Sequence, residues 1–178
     1  MYRGKSIKKE GVILNITERI ASSEKLLKDT IGIDEAWILL GLLEGQSVFP
    51  HDVLQEFRLY SEYLPRIDDF PYTEEQRLLH LIWEIFDRLP LSIVANFAIP
   101  FRRILAKKIF KKCGKNFSCE EGVRFNFPQN IEIGDDVLIA PNNSYVNVNV
   151  PSHSIVIGNP ATIHHRDNAT EGYVNFRV

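Results

Sequence analysis

The stretch that decides the fold reads Ile-Gly-Asp-Asp-Val-Leu at residues 133–138, Ile-Ala-Pro-Asn-Asn-Ser at 139–144 and Tyr-Val-Asn-Val-Asn-Val at 145–150. Large side chains recur every six residues, at Ile133, Ile139 and Tyr145, and Gly134 or Ala140 follows the first two. A six-residue period is typical of a parallel β-helix, in which each short strand stacks on the next coil. Small residues leave room at its corners, where Asn and Asp tolerate a left-handed backbone.

The residues just upstream of these hexads supply a preceding coil. Its predicted interior residues are all large and apolar: Phe117, Val123, Phe125, Phe127 and Ile131. An irregular corner is expected at residues 128–130, which read Pro-Gln-Asn. The sequence therefore predicts about two coils of three hexads, fewer than the three repeats that a solenoid usually needs to bury a continuous core.

The composition of the chain changes near residue 112. Residues 1–112 hold 16 of the 17 leucines, whereas residues 113–178 hold 10 of the 12 asparagines and 8 of the 12 valines. Leucine favours helices, and valine with asparagine favours short strands joined by tight turns. We therefore predict an α+β fold with an N-terminal α-helical domain at 1–112, a short parallel β-helix at 113–163 and a C-terminal tail at 164–178.

Local signals place the first three helices. Asn15 and Glu18 form a capping box for a helix that runs to about Thr30, and Asp34 is expected to cap a helix over residues 35–44 that Gly45 stops. A third helix is expected from Pro50 to Pro65.

A fourth helix follows the capping box of Thr73 and Gln76. Its periodicity places His80, Glu84 and Asp87 on the solvent side. The last helix is expected to begin at Pro100.

The segment 102–115 carries the one concentrated positive charge of the sequence: Arg102, Arg103, Lys107, Lys108, Lys111, Lys112 and Lys115. Two interpretations stay open. The segment binds an anionic partner, or its apolar stripe covers the first coil while the lysines remain in water. Nucleic acid is not expected as that partner, because no interleaved aromatic residues accompany the charge.

Two separate stretches resemble a known family. Residues 113–140, which end in Ile-Glu-Ile-Gly-Asp-Asp-Val-Leu-Ile-Ala, look like the opening coils of the hexapeptide-repeat acyltransferases, the maltose and galactoside O-acetyltransferase group. Residues 150–161, Val-Pro-Ser-His-Ser-Ile-Val-Ile-Gly-Asn-Pro-Ala, are similar to the segment that leaves the last coil in those enzymes.

The resemblance implies a left-handed β-helix, a homotrimer, and transfer of an acyl group from acetyl-coenzyme A or another acyl-coenzyme A to a hydroxyl or amine of a small molecule or sugar. It also implies that the motif Gly158, Asn159, Pro160 and Ala161 borders the coenzyme. The alternative interpretation of this motif is a turn that ends the solenoid.

The chain departs from that family in its middle. Only residues 143–149 stand where family members run through several further coils, so the coil that carries the family's catalytic histidine is missing and no catalytic residue is identified. The five histidines lie elsewhere: His51, His80, His153, His164 and His165. His153 is either a substitute general base or a loop residue. A second hypothesis is therefore a catalytically inactive remnant that serves as a structural or self-association module.

The remaining features exclude other classes. The net charge of −2 provides no global attraction to nucleic acid or anionic lipid. Cys113 and Cys119 are expected to be reduced, packed thiols. No metal site is expected, because the adjacent His164 and His165 face opposite sides of an extended strand. No membrane span or signal peptide is recognised, and we expect a cytoplasmic protein.

Overall fold

The computed structural model describes residues 15–44, 51–63, 71–141 and 143–171. The helices are α1 Ile16–Leu26, α2 Ile33–Glu44, α3 His51–Glu56, α4 Glu74–Phe86 and α5 Ala95–Ile109. The strands are β1 Lys112–Cys113, β2 Ser118–Cys119, β3 Glu132–Ile133, β4 Val137–Ile139, β5 Ser154–Ile157 and β6 Thr162–His165. An α+β fold is thereby confirmed.

The capping boxes were predicted correctly, whereas several helix bounds were wrong. Asn15 and Glu18 cap each other's backbone at the start of α1, but α1 ends at Leu26 rather than near Thr30. Helix α2 begins at Ile33, so Asp34 lies in its first turn and does not precede it. Gly45, Pro50 and Pro65 lie outside the described residues, and only α3 and a 3-10 turn at Tyr60–Tyr63 fall within the third predicted helix.

Helix α5 begins earlier than its proline indicated. Pro100 lies inside the helix, which starts at Ala95. Phe97 and Ala98 belong to that early part and are 0% and 2% exposed. Their burial stabilises a first turn that the local proline signal did not predict, because tertiary packing outweighs propensity.

In the second half of the chain, successive passes of the backbone pair with one another and form three parallel ladders. The first ladder joins β1 to β3, and Ile133 of β3 to Val150. The second joins β2, β4 and β5, and the third pairs Arg124 with Tyr145. We call one passage through the three ladders a coil. The left-handed winding that the resemblance implies stays a prediction.

Two of the three interior positions predicted from the hexads are correct. Ile133 and Ile139 are 0% exposed, but Tyr145 is half-buried, and its backbone forms a parallel bridge with Arg124. The interior positions there are Ser144 and Val146, both 0% exposed. The third hexad fails because the interior positions that follow Ile139 lie five and seven residues further along the chain, not six.

One corner of the coils has stacked small residues. A Cβ on Gly134 would lie 2.3 Å from the backbone nitrogen of Ser152 in the next coil, and one on Gly114 would lie 2.4 Å from the carbonyl of Gly134. Side chains cannot fit between backbones this close. The expectation that the corner needs a small residue at Gly134 is therefore confirmed.

The helical half closes the first coil. The ring of Phe125 lies 5.0 Å from that of Trp83 on α4 and 5.1 Å from that of Phe110, which follows α5. Both elements belong to the same buried cluster as the interior of the ladders. This cap supplies the apolar contacts that a short stack of coils lacks by itself.

The C-terminal residues close the other end. Strand β6 pairs antiparallel with β5, so the third coil ends in a hairpin. The segment that follows, residues 166–171, we call the strap. Ala169 of the strap is 0% exposed and packs on the outer side of the second ladder, against Leu138 and Ile155.

Candidate functional site

His153 lies at the corner that leads into β5. Its backbone is left-handed, with φ of 56°, as are Asn116 at 55° and Asp136 at 52° at the equivalent corners of the coils below. The His153 N–H donates to the Asp135 carbonyl at 2.9 Å, and the His153 carbonyl accepts from the Arg166 N–H at 2.7 Å. Asn, Asp and His are the non-glycine residues that adopt this conformation most often.

The Asp136 carboxylate is the hydrogen-bonding centre of this corner. Its Oδ2 accepts from the Ala169 N–H at 2.7 Å, and its Oδ1 from the Thr170 N–H at 3.2 Å and the Thr170 hydroxyl at 2.5 Å. Burial by itself would raise the pKa of the Asp136 carboxyl, but the bonds from Thr170, Ala169 and His153 outweigh it and hold the pKa below its ordinary value. Asp136 is therefore an ionised acceptor at neutral pH.

Asp136 fixes the protonation of the neighbouring ring. His153 Nδ1 lies 3.3 Å from Asp136 Oδ2. Because an ionised carboxylate only accepts, Nδ1 carries the proton and the Nε2 lone pair of the neutral ring is left open. The side chain of His153 is 49% exposed, so a bound molecule can reach this ring. An oriented, accessible imidazole of this kind is suited to general-base catalysis.

A second histidine stands beside this pair. The ring centroids of His153 and His165 are 6.4 Å apart and nearly perpendicular, at 82°. His165 Nε2 lies 3.6 Å from Asp167 Oδ1. His164 hydrogen-bonds Thr162 Oγ1 through Nε2 at 3.1 Å. Within the part of the chain that is described, no three potential metal ligands come together.

The predicted coenzyme motif forms the turn between β5 and β6. The Tyr145 N–H donates to the Gly158 carbonyl at 3.0 Å, and the Tyr145 carbonyl accepts from the Ala161 N–H at 3.3 Å. Asn159 and Pro160 are exposed and joined by a cis peptide bond. Strand β5 separates this motif from His153 by about 15 Å, at roughly 3.3 Å per residue. One chain therefore does not bring the two together.

His80 is buried, so the prediction that it faces solvent was wrong. It is 4% exposed, lies 3.3 Å from the Tyr72 hydroxyl through Nδ1, and its ring is 5.7 Å from that of Phe125. Burial, followed by the charge of Arg124, lowers its pKa to about 4. Without access to solvent, His80 is a structural residue. The side chain of His51 lies outside the described residues.

Asp87, which was also expected on the solvent side, is buried with Arg102. Arg102 Nη2 lies 2.5 Å from Asp87 Oδ1, and the two side chains are 2% and 3% exposed. The other Asp87 oxygen accepts from the Gly122 N–H at 3.0 Å. Arg102 is thus part of the interior and cannot serve a basic surface.

The rest of the segment 102–115 is divided between the two interpretations. Arg103 donates to the Phe117 carbonyl, Lys108 reaches the Asp29 carbonyl at 2.6 Å, and Lys111 pairs with Glu132 at 2.7 Å. Lys107, Lys112 and Lys115 are exposed. The apolar side of α5 is buried, as the second interpretation requires, and the exposed lysines leave the first one open.

Both cysteines are free, as expected. Burial raises the pKa of the Cys113 thiol to about 11 and also raises that of Cys119, which is 1% exposed. Thiols that stay protonated are poor nucleophiles, so neither cysteine belongs to the site.

The sequence did not identify Asp136 and Thr170 as partners of His153. One signal was present, since Asp136 and His153 occupy equivalent places in successive coils and are separated by one ladder step. Thr170 had no such signal, because its position depends on how the strap folds back.

Compared with known proteins, the chain matches no protein-family model, no curated protein and no solved structure. Within its described residues, every helix is too short or too polar to span a membrane.

Proposed function

We propose that this protein is an acyltransferase that moves an acyl group from acyl-coenzyme A to a hydroxyl or amine of a small molecule or sugar. His153 is the proposed general base. The observation that carries the proposal is the contact of 3.3 Å between His153 Nδ1 and Asp136 on a ring that is half exposed. The repeated parallel ladders support a left-handed β-helix of the hexapeptide-repeat kind, which is part of the same proposal.

The proposed reaction needs one base and one leaving group. His153 Nε2 accepts the proton of the acceptor hydroxyl or amine while that atom forms a bond to the thioester carbonyl carbon. The carbon–sulfur bond then breaks, and the coenzyme thiolate leaves and takes the proton back from the imidazolium. Asp136 stabilises the imidazolium in between, because its negative charge lies beside Nδ1.

Acetyl-coenzyme A is the proposed donor, with residues 158–161 beside it. Because β5 lies between this turn and His153, the donor must either extend along β5 or take the turn from a neighbouring copy. A homotrimer, with sites between subunits, is therefore part of the proposal. The free cysteines agree with a reducing compartment, and we place the reaction in the cytoplasm.

The test is thioester cleavage by the full chain, with acetyl-coenzyme A and a panel of small sugars and amines. His153→Asn is the informative variant, because asparagine tolerates the left-handed backbone of this position. We expect kcat to fall by about 10²–10⁴-fold. The matched control is His164→Asn on the same hairpin, which should keep full activity.

Coenzyme binding is tested independently of the acceptor. Saturating acetyl-coenzyme A should raise the melting temperature by several degrees, since a ligand at 100 times its Kd contributes about 2.7 kcal/mol. Absence of both the shift and the cleavage contradicts an acyltransferase. Equal loss of activity in His153→Asn and His164→Asn contradicts the role of His153.

A second candidate is a structural or self-association module without catalysis. It is favoured by the turn at residues 158–161. This turn hydrogen-bonds the backbone of Tyr145 and so ends the third ladder. Val148, Ile157 and Ile163 remain 47%, 37% and 36% exposed in the second half of the chain. Concentration-dependent self-association measured by sedimentation, together with no thermal response to acetyl-coenzyme A, supports this candidate over the first.

A further inference from the structure

The strap reaches the His153 corner through three of its residues. The Arg166 N–H binds the carbonyl of His153, and Ala169 and Thr170 supply three donors to Asp136. Ala169 anchors the strap by its burial against Leu138 and Ile155. The strap is therefore held independently of the ring, and the carboxylate lies between the two.

We propose that Thr170 is a positioning residue for His153: its hydroxyl fixes the Asp136 carboxylate so that His153 keeps its proton on Nδ1 and presents Nε2. The catalytic meaning of this role rests on the proposed function. The positioning itself does not.

The division of bonds between the two carboxylate oxygens supports this role. Thr170 binds Oδ1 with a short hydroxyl bond of 2.5 Å and a longer backbone bond of 3.2 Å, while Oδ2 is shared by the Ala169 N–H and the ring. The terminal torsion of an aspartate has a broad energy profile. Without the hydroxyl, Oδ1 keeps only the longer bond, so the carboxylate turns more easily about the bond that Ala169 makes to Oδ2 and its alignment with Nδ1 weakens.

The other charged groups near the ring do not replace Asp136. Asp135 uses Oδ1 to accept from the Lys115 N–H at 2.7 Å, and Asp167 faces His165. His165 presents its ring nearly perpendicular to that of His153. Among the described contacts of His153, Asp136 is the carboxylate that accepts a hydrogen bond from Nδ1.

The test is ¹⁵N NMR of the labelled full chain, because the two ring nitrogens give different signals when protonated and unprotonated. Spectra are recorded at about pH 9, above the ordinary titration range of imidazole. His153→Asn identifies the signals of this ring. In the unaltered chain, Nδ1 should be protonated and Nε2 unprotonated.

Thr170→Val removes the hydroxyl and retains the branched shape. We expect His153 to lose its predominant Nδ1 proton in this variant and in Asp136→Ala, which removes the acceptor, while Thr170→Ser retains the original spectrum. The matched control is Thr162→Val on β6, which removes a hydroxyl that contacts His164. This control should alter the signals of His164 and leave those of His153 unchanged.

A protonated Nδ1 that persists in Thr170→Val overturns the proposal, as does an unprotonated Nδ1 in the unaltered chain. Thr170→Ala provides a second hydroxyl-free variant if valine prevents folding. In an active protein, Thr170→Val should lower kcat by about 10-fold, a part of what a general base contributes, with little change in KM. An inactive protein that gives the expected spectra refutes the proposed function and supports the positioning role.

Discussion

The two ends of the ladder stack are each held by one aspartate, and the two are built differently. At the first coil, Asp87 pairs with Arg102, and both side chains are at most 3% exposed. At the other end, Asp136 lies on the coil just below the last one and is bound by two backbone N–H groups, one hydroxyl and a half-exposed histidine. The first end uses its carboxylate to join helices to a coil. The second uses its carboxylate to join a short strap and leaves an ionisable ring accessible, as a reactive site requires.

The largest expected effect is at the helical end. Arg102→Met should lower the free energy of unfolding by about 3–5 kcal/mol, because it leaves Asp87 charged and buried without its partner. Urea denaturation measures the change. The matched control is Arg88→Met. The side chain of Arg88 pairs with Glu84 and is 62% exposed, so this substitution should change the free energy of unfolding by about 0.5 kcal/mol or less. Similar losses of unfolding free energy in both variants would contradict the role of the Asp87–Arg102 pair in joining the helices to the first coil.

Acid should weaken the same end through His80. Its pKa is about 4 in the folded chain against an ordinary 6.5, so the unfolded chain binds more protons between these values. The contribution of uncharged His80 to the free energy of unfolding is complete above about pH 6.5. It is lost as the pH falls toward 4, by up to about 3 kcal/mol. His80→Gln should flatten this part of the stability profile. If His80→Gln leaves the pH dependence of stability unchanged, groups other than His80 cause the loss of stability in acid.

The smallest effect is expected at the strap end. Asp136→Asn should lower the free energy of unfolding by about 1–2 kcal/mol, since one carboxylate oxygen becomes an NH2 group that cannot accept from its partner in Ala169 or Thr170. Hydrogen exchange should show faster opening of residues 166–171, while α4 and α5 exchange as before. A loss as large as that of Arg102→Met, or exchange that rises equally at both ends, would contradict the contrast between them.

Local signals predicted the parts of the fold that depend on neighbouring residues. The capping boxes at Asn15 and Thr73 were read from residues three apart, and both are present. The six-residue period predicted the burial of Ile133 and Ile139, because residues of successive hexads experience the same corner geometry. These features need no knowledge of distant contacts.

Long-range partners explain the wrong predictions. His80 was placed in solvent because the periodicity describes one apolar face, whereas α4 also packs against Phe125 and Tyr72 on another. Arg102 was grouped with the surface lysines, and its partner Asp87 lies 15 residues away. Of the candidate site, the sequence indicated His153 and the turn at residues 158–161. Asp136 and Thr170 become its partners only once the chain is folded back on itself.

The hairpin at the end of the second ladder has a consequence for how such a chain can vary. Tyr145 finds its backbone partners in a turn rather than in another strand, so the chain itself terminates growth of the stack. The aromatic residues that seal the opposite end do not depend on how many turns lie between. Insertion of whole extra coils ahead of this hairpin would lengthen the stack of ladders and preserve both seals, which makes its length a modular property.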